Sequence, residues 1–247
     1  MKTVFYTTVS DSHYYGCGTP KFINSFKHFH PDIELIVFRQ DMIDRVFKEK
    51  NINFYKAKPT FAKLLTPYYD LIVNIDADTV VLGRLERILK GDFDIACPTN
   101  LNDYENMSIE NVTKEMFIQA GLVAVTNKKI WDIWEKANKD AMKYLAQENT
   151  ILNLLWYNHP EISKMNRLIL DKDKDYYGCK SLNREREFYM KDGQVMCRDE
   201  RVYLYHHAKG GGAMPKLVYE TMGFPKDVVN FMNVVSEYGK SVRYGSL

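Results

Sequence analysis

Two carboxylates one residue apart, Asp76 and Asp78, follow an apolar run that begins at Leu71. The run Leu71–Ile75 has the composition of a strand buried on both faces, as found inside parallel sheets. Since alternate residues of an extended chain point the same way, both carboxylates can face one site. Acids at the end of a buried strand are costly unless paired, and a hard divalent cation, which also binds phosphates, would pair with them. The pair therefore predicts a metal or phosphate site; a turn-forming aspartate followed by a helix N-cap is the structural alternative.

A second group suited to this chemistry lies far downstream. Arg201–Tyr205 is predicted to form a strand that runs into His206 and His207 and then into the glycines 210–212. An imidazole added to two carboxylates gives mixed nitrogen and oxygen ligation, which suits Mn²⁺ better than Ca²⁺. Glycines allow the backbone to approach phosphates closely. One of the two histidines is thus a candidate third metal ligand.

The segments before the acids alternate between strand and helix patterns. Strands are predicted at Thr3–Val9, Ile33–Phe38, Ile52–Tyr55 and Leu71–Ile75, and helices at Pro20–His28, Asp41–Glu49 and Phe61–Tyr69. This alternation is typical of βαβ units on a parallel sheet. In such sheets ligands bind at the carboxyl ends of the strands, where the acids fall. We therefore expect a nucleotide-binding half of Rossmann type over residues 1 to about 100.

The remaining residues, about 101–247, form the second half of what we expect to be a single α/β domain over residues 1–247. Strands are predicted at Phe93–Cys97, Leu122–Thr126 and Leu168–Leu170, and helices at Lys128–Tyr144, Glu148–Trp156 and Pro225–Tyr238. The segments Pro98–Glu115 and Asp171–Asp199 have no clear period, and the second is predicted to be irregular or a hairpin. Irregular segments this long in a compact domain usually have a functional role or are mobile.

Composition excludes several classes of protein. The chain is 45% hydrophobic, enough for a sizeable core, and its net charge of +2 with no basic stripe argues against nucleic-acid binding. The four cysteines are widely spaced without a CxxC pair, so structural zinc is not expected, and we interpret them as reduced thiols of a cytoplasmic protein. No apolar run approaches about 18 residues, so no membrane span is expected, and no signal-peptide pattern opens the chain.

The string around the acids resembles two families. In the haloacid-dehalogenase phosphatases the nucleophile motif reads strand-Asp-x-Asp-x-Thr/Val, which Asp76, Asp78 and Val80 satisfy. A phosphatase of that family usually opens its core domain with the motif, whereas here several predicted βα units come first. That resemblance would make Asp76 the nucleophile of a phosphatase.

The second resemblance, to nucleotide-sugar glycosyltransferases of the GT-A fold, covers far more of the chain. It is closest to family 8, the glycogenin and bacterial galactosyltransferase group, and extends from Phe5 to about Lys216. The blocks that carry it are Thr7-Thr8-Val9 with Tyr15-Gly-Cys-Gly18, Thr60-Phe-Ala-Lys63-Leu64, Asp76-Ala77-Asp78, Gln119-Ala120-Gly121, Glu148-Asn149-Thr-Ile-Leu-Asn153, and His206-His207-Ala-Lys209-Gly210 with Lys216.

This resemblance implies an α/β GT-A (Rossmann-like) single domain with a mixed, mostly parallel central sheet flanked by helices. It also implies a metal-dependent, retaining transferase that moves a sugar from a nucleotide-diphosphate donor, most simply a UDP-sugar, to a glycan, lipid-linked or protein acceptor. The segments Pro98–Glu115 and Asp171–Asp199 would shape the acceptor site.

The same resemblance assigns residue roles. Asp76, Asp78 and His206 would hold Mn²⁺ or Mg²⁺, and Gln119 or Asn149 would be catalytic by steadying the anomeric face of the sugar. The donor would be bound by Thr8, Val9, Tyr15, Lys63, Ala77, Ala120, Gly121, Lys209, Gly210 and Lys216. Tyr15 could stack on uracil, or be one more surface aromatic. Lys63 could neutralise the diphosphate as a point charge, or be an ordinary solvated lysine.

Several positions depart from the family pattern. Glu148 and Asn149 stand where the family has Asp and Gln, and Gln119 stands where it has Asn. The closing Lys-Pro appears as Pro215-Lys216, without the tryptophan that usually follows. These changes fall where the donor sugar meets the acceptor, and they leave open a third hypothesis, a nucleotide-sugar-binding protein without catalysis.

Overall fold

A computed structural model describes residues 1–11, 14, 18–48, 54–99, 112–113, 116–141, 148–171, 175–176, 187–206 and 223–237. The strands are β1 (Thr3–Val9), β2 (Glu34–Arg39), β3 (Leu71–Ile75), β4 (Thr79–Val81), β5 (Ile95–Cys97), β6 (Leu122–Val125), β7 (Arg167–Ile169), β8 (Asp175–Tyr176), β9 (Phe188–Lys191), β10 (Gln194–Cys197), β11 (Glu200–Val202) and β12 (Leu204–His206). The helices are α1 (Thr19–Phe29), α2 (Gln40–Phe47), α3 (Phe54–Leu65), α4 (Glu86–Lys90), α5 (Lys129–Ala141), α6 (Glu148–Asn158) and α7 (Lys226–Glu237).

Six strands form the central sheet, in the order β2-β1-β3-β6-β5-β7. Strand β1 pairs in parallel with β2 and β3, and β5 pairs in parallel with β7. Strand β6 runs antiparallel to both of its neighbours, β3 and β5. The expected class, an α/β fold with a mixed and mostly parallel sheet, is confirmed.

Helices cover both faces of this sheet. Successive side chains of each strand point to opposite faces and therefore enter two separate apolar layers. One layer packs Tyr6 of β1 against Phe61 of α3 and the two fully buried tryptophans of α5, Trp131 and Trp134. The other layer contains aromatic residues of α1 and the aliphatic side chains of α4. A third apolar cluster joins β4, β9, β10, β11 and β12 to α7. The sheet is thereby enclosed, which agrees with the mostly apolar sequences of its central strands.

Strand β3 is the centre of this arrangement. All its residues, Leu71–Ile75, are buried, as its sequence predicts. It lies between β1 and β6, and the chain leaves the sheet at Asp76. Strand β4 follows at once and pairs antiparallel with β12, so that Thr79 lies opposite His206. This pairing brings His206, from the second half of the chain, to the acids of the first half.

The predicted strand Ile52–Tyr55 is wrong where the structure describes it. Phe54 and Tyr55 open helix α3, which continues to Leu65, whereas the predicted helix began at Phe61 and ran to Tyr69. Apart from Pro59, the buried positions of this helix recur at helical spacing, at Ala57, Lys58, Phe61, Ala62 and Leu65. Burial of this face against the sheet decides the structure over the strand preference of the aromatic residues.

The predicted strand Arg201–Tyr205 is divided in two at Tyr203. Its first part, β11, pairs with β10 and β8, and its second, β12, pairs with β4. The segment Asp171–Asp199 contains the β9–β10 hairpin, one of the two structures expected there. Most of Pro98–Glu115 lies outside the described residues.

Candidate metal centre

Three side chains expected to bind metal meet at the carboxyl end of β3. One possible ligand atom from each of Asp76, Asp78 and His206 lies within 4.8 Å of the others. His206 Nε2 is 2.9 Å from Asp78 Oδ1 and 3.5 Å from Asp76 Oδ2. Asp76 and Asp78 are partly exposed and His206 is buried.

The backbone places each of these groups. The Asp76 amide donates to the Gly121 carbonyl at 2.8 Å, which extends the β3–β6 contact by one residue beyond the strand. Asp78 precedes β4, and the register of β4 against β12 brings His206 across from the next residue. Long-range strand pairing thus brings together residues separated by about half of the chain.

This donor set fits a small divalent cation. Two carboxylate oxygens and one imidazole nitrogen converge, and oxygen with nitrogen is a ligand set that suits Mn²⁺. Mg²⁺ is likewise commonly bound through one or two carboxylates together with substrate phosphates and water. The residues present therefore fit a divalent metal ion.

A lysine that the sequence analysis did not single out completes the cluster. Lys58 of α3 is 1% exposed, and its ammonium donates to Asp76 Oδ1 at 2.6 Å, to Glu148 Oε1 at 2.5 Å and to the Ala120 carbonyl at 3.2 Å. The Tyr6 hydroxyl donates to the Lys58 carbonyl at 2.8 Å. Lys58 is therefore an internal cation beside the candidate metal ligands.

The electrostatics follow from this burial. Burial by itself would lower the pKa of Lys58, but Asp76 and Glu148 outweigh it and raise that pKa, so the side chain stays charged. Burial raises the pKa of Glu148 to about 7, with Lys58 opposing the shift and Asp76 adding to it. Burial, with Glu148 and Asp76 adding, also raises the pKa of Tyr6, which therefore stays neutral.

The buried amide of Gln119 contacts the His206 ring and orients it. Gln119 Nε2 lies 2.8 Å from His206 Nδ1, and Gln119 is 5% exposed. Contacts of this kind select which ring nitrogen of a histidine faces a metal. A Cβ at Gly121 would lie 2.4 Å from Gln119 Nε2 and 2.8 Å from His206 Nδ1, so glycine is required here for the close approach.

Two asparagines of α6 hold the segment that carries Gln119. Asn149 Oδ1 accepts from the Ala120 amide at 2.8 Å. Asn153 accepts from the Ile118 amide and donates to the Ile118 carbonyl, both at 2.7 Å. In this structure Gln119 and Asn149, expected beside the anomeric carbon, therefore contact His206 and the protein backbone.

The other expected donor-binding residues are distributed unevenly. Thr8 and Val9 end β1, parallel to β3, and so lie at the same edge of the sheet as Asp76. Ala77, Ala120 and Gly121 adjoin the cluster. Those outside the described residues are Tyr15, Lys209, Gly210 and Lys216, and so is His207, the alternative candidate for the third metal ligand.

Lys63 is placed elsewhere. Its ammonium lies 2.9 Å from Asp132 and 3.0 Å from Glu135, both on α5, and its side chain is 42% exposed. Among the described lysines, Lys58 is the one whose ammonium contacts Asp76. One signal could have identified it, because Lys58 lies three and four residues before the buried Phe61 and Ala62, on the apolar face of the helix.

Comparison with known proteins identifies the fold. No protein-family model and no curated protein sequence matches this chain. Among solved structures it is similar to the galactosyltransferase LgtC in complex with donor and acceptor sugar analogs, with a TM-score of 0.53 and 13% identity over 98% of this chain and 97% of LgtC. It is also similar to the glycosyltransferase GlyE of Streptococcus pneumoniae TIGR4, with a TM-score of 0.52 and 12% identity over 99% of this chain and 66% of GlyE.

A third similar structure is mouse xyloside xylosyltransferase 1, with a TM-score of 0.52 and 10% identity over 84% of this chain and 98% of that protein. The chain spans just under two thirds of GlyE and nearly all of LgtC. At these identities the likeness establishes the fold, which is that of the GT-A glycosyltransferases. Among the helices that the structure describes, none is long and apolar enough to cross a membrane.

Proposed function

We propose that this chain is a metal-dependent glycosyltransferase of the family 8 type, which moves a sugar from a nucleotide-diphosphate donor, most simply a UDP-sugar, to a glycan, lipid-linked or protein hydroxyl. The observation that carries the proposal is the cluster of Asp76, Asp78 and His206 at the carboxyl end of β3 in a glycosyltransferase fold. Ligands of open α/β sheets bind at that edge.

Asp76, Asp78 and His206 would hold Mn²⁺ or Mg²⁺. When bound, the ion would supply positive charge for the leaving diphosphate, as a Lewis acid. Thr8 and Val9, at the end of the neighbouring parallel strand, would border the nucleoside. Tyr15, Lys209, Gly210 and Lys216 stay proposed donor-binding residues on the strength of the sequence resemblance alone.

Gln119 and Asn149 are proposed to act near the sugar by positioning other groups, because their amides contact His206 and the Ala120 amide. We propose a retaining outcome in which the leaving phosphate assists the acceptor hydroxyl. Glu148 is assigned no role as a base in this proposal, and its carboxyl group pairs with Lys58.

The test is release of UDP from a panel of UDP-sugars with Mn²⁺, Mg²⁺ or EDTA, with and without simple acceptors. Asp76→Asn and Asp78→Asn keep the shape of the side chain and remove its charge, so each should reduce metal-dependent release by about 100-fold or more. Asp132→Asn, an exposed carboxylate on α5, is the matched control and should leave release unchanged. Full activity in either cluster variant would contradict the proposed metal role.

One observation favours a second candidate, a nucleotide-sugar-binding protein without catalysis: both residues expected at the anomeric carbon contact protein groups. That candidate predicts that UDP with Mn²⁺ raises the melting temperature, since ligands of the folded state stabilise it, while no UDP-sugar is consumed. The phosphatase hypothesis is not carried further, because the similar folds are those of glycosyltransferases. Its remaining prediction is hydrolysis of an aryl phosphate that Asp76→Asn abolishes.

A further inference from the structure

The two oxygens of the Asp76 carboxylate face different groups. Oδ1 accepts a hydrogen bond from Lys58 Nζ at 2.6 Å. Oδ2 is the oxygen nearer the imidazole, 3.5 Å from His206 Nε2. One oxygen is thus engaged by a buried ammonium, and the other faces the metal-binding cluster.

Lys58 is held firmly where it stands. An ammonium has three protons and no lone pair, and Lys58 donates to three protein acceptors, on Asp76, Glu148 and Ala120. Its side chain is 1% exposed, so a donor or acceptor molecule cannot reach it as the structure stands. Lys58 would therefore affect the metal ion only indirectly, through its hydrogen bond to Asp76.

We propose that Lys58, held in place by Glu148, is a positioning residue that restricts Asp76 to binding the metal ion through Oδ2 alone and thereby favours small octahedral cations over Ca²⁺. The inference rests on the metal site of the proposed function. A second cation at Oδ1 would meet the positive charge of Lys58 at short range, whereas the contact of Oδ2 among the described residues is with the His206 imidazole, at 3.5 Å.

Carboxylate geometry separates the two kinds of ion. Ca²⁺ takes six to eight oxygen ligands and often binds both oxygens of one carboxylate, whereas Mg²⁺ requires near-ideal octahedral geometry with short bonds. Mn²⁺ accepts the same oxygen-rich octahedral sites and tolerates imidazole. An aspartate with one oxygen withheld therefore serves Mn²⁺ or Mg²⁺ better than Ca²⁺.

Glu148 makes the buried lysine possible. A buried charge is strongly unfavourable unless it is paired and hydrogen-bonded. Lys58 Nζ lies 2.6 Å from Asp76 Oδ1 and 2.5 Å from Glu148 Oε1, so its positive charge is shared between the two carboxyl groups.

The test measures ion preference, without any donor or acceptor. Mn²⁺ affinity is measured by loss of the free-ion EPR signal, and Ca²⁺ affinity by competition against Mn²⁺. Both ions are divalent, so the change in charge on removing Lys58 acts on both affinities and cancels in the ratio Kd(Ca²⁺)/Kd(Mn²⁺). In Lys58→Met we expect this ratio to fall about tenfold, the size typical of changes next to metal ligands.

Two further variants make the result decisive. Lys63→Met removes a lysine from the same helix and should leave the ratio as in the wild type. Lys58→Met with Glu148→Gln removes both members of one ion pair, so that Glu148 is not left as an unpaired carboxylate if the single variant fails to fold, and it should show the same fall.

The outcomes separate the two proposals. If the wild type binds neither ion, the metal site of the proposed function fails and this inference fails with it. If the wild type prefers Mn²⁺ but the ratio in the folded variants stays within about twofold of its value, the positioning role is overturned and the metal site stands. A wild type that prefers Ca²⁺ would also overturn the positioning role.

Discussion

Two lysines of helix α3 each lie between two carboxylates, and they differ in how much water reaches them. Lys58 pairs with Asp76 and Glu148 and is 1% exposed, while Lys63 pairs with Asp132 and Glu135 and is 42% exposed. Five residues of helix turn a side chain by about 140°, which sends one lysine to the sheet and the other toward α5. The same kind of ion pair is thus buried at Lys58 and exposed to solvent at Lys63.

The largest expected difference is in stability. Lys58→Met leaves Glu148 and Asp76 without their buried partner, and breaking a buried ion pair in this way costs about 3–5 kcal/mol. Lys63→Met breaks exposed pairs, which are worth less than about 1 kcal/mol. Urea unfolding of both variants against the wild type measures the two costs. Equal costs would mean that the burial of Lys58 does not set the strength of its ion pairs.

Glu148, the partner of Lys58, should make the stability of the protein depend on pH. The pKa of Glu148 is raised from 4.5 to about 7, by burial first. Between these values the folded state holds more protons than the unfolded state, so the free energy of unfolding should fall as pH rises through this window, by at most about 3 kcal/mol. In metal-free buffer Glu148→Gln should flatten this slope.

Glu135 should show the opposite sign. Burial would raise its pKa, but hydrogen bonds from Lys63 and Thr60 outweigh burial and lower it. The folded state then holds fewer protons, so the contribution of Glu135 is present above pH 4.5 and is lost as pH falls below it. The free energy of unfolding of each variant is measured against pH. If Glu148→Gln and Glu135→Gln remove slopes of the same sign, the opposite pKa shifts assigned to the two residues are wrong.

The room available for a side chain also differs between the candidate metal site and the surface. Gly121→Ala would press on Gln119 and His206, whereas a Cβ at Gly193, in the β9–β10 turn with φ +71°, meets nothing within 4 Å. We expect Gly121→Ala to lower Mn²⁺ affinity about tenfold by displacing His206. Gly193→Ala should cost about 1 kcal/mol of stability for its left-handed backbone and leave Mn²⁺ affinity unchanged. EPR titration and urea unfolding of both variants check this, and an unchanged Mn²⁺ affinity in Gly121→Ala would contradict it.

The candidate metal ligands show how far the sequence could predict the site. Strand β3 and its two acids were predictable because an apolar run and the residues that end it are local features. The contact of His206 with those acids depends on β4 pairing with β12 across the chain. Residue types suggested His206 or His207 as a third ligand, and the resemblance to a known family selected His206. No local pattern encodes such a pairing.

Lys58 was missed for a different physical reason. The family pattern points to a lysine by its spacing from neighbouring residues, and that spacing selects Lys63. Which lysine turns toward the sheet depends on where the helix begins, and the aromatic residues at Phe54 and Tyr55 made the start of α3 resemble a strand. A helix that starts earlier places Lys58 on the buried face with Ala57 and Phe61.

The smallest expected effect is the response to salt, and it tests the comparison most directly. At 1 M ionic strength the Debye length is about 3 Å, so interactions between exposed charges are screened, while buried pairs are screened much less. The cost of Lys63→Met, already below about 1 kcal/mol, should shrink toward zero when NaCl is raised. The cost of Lys58→Met should stay the same, because ions cannot approach a side chain that is enclosed by Asp76, Glu148 and the Ala120 carbonyl. Urea, which is uncharged, allows both costs to be measured at low and high salt. If salt reduced the cost of Lys58→Met as much as that of Lys63→Met, water and ions would reach Lys58 in solution, and the distinction between the two lysines would be lost.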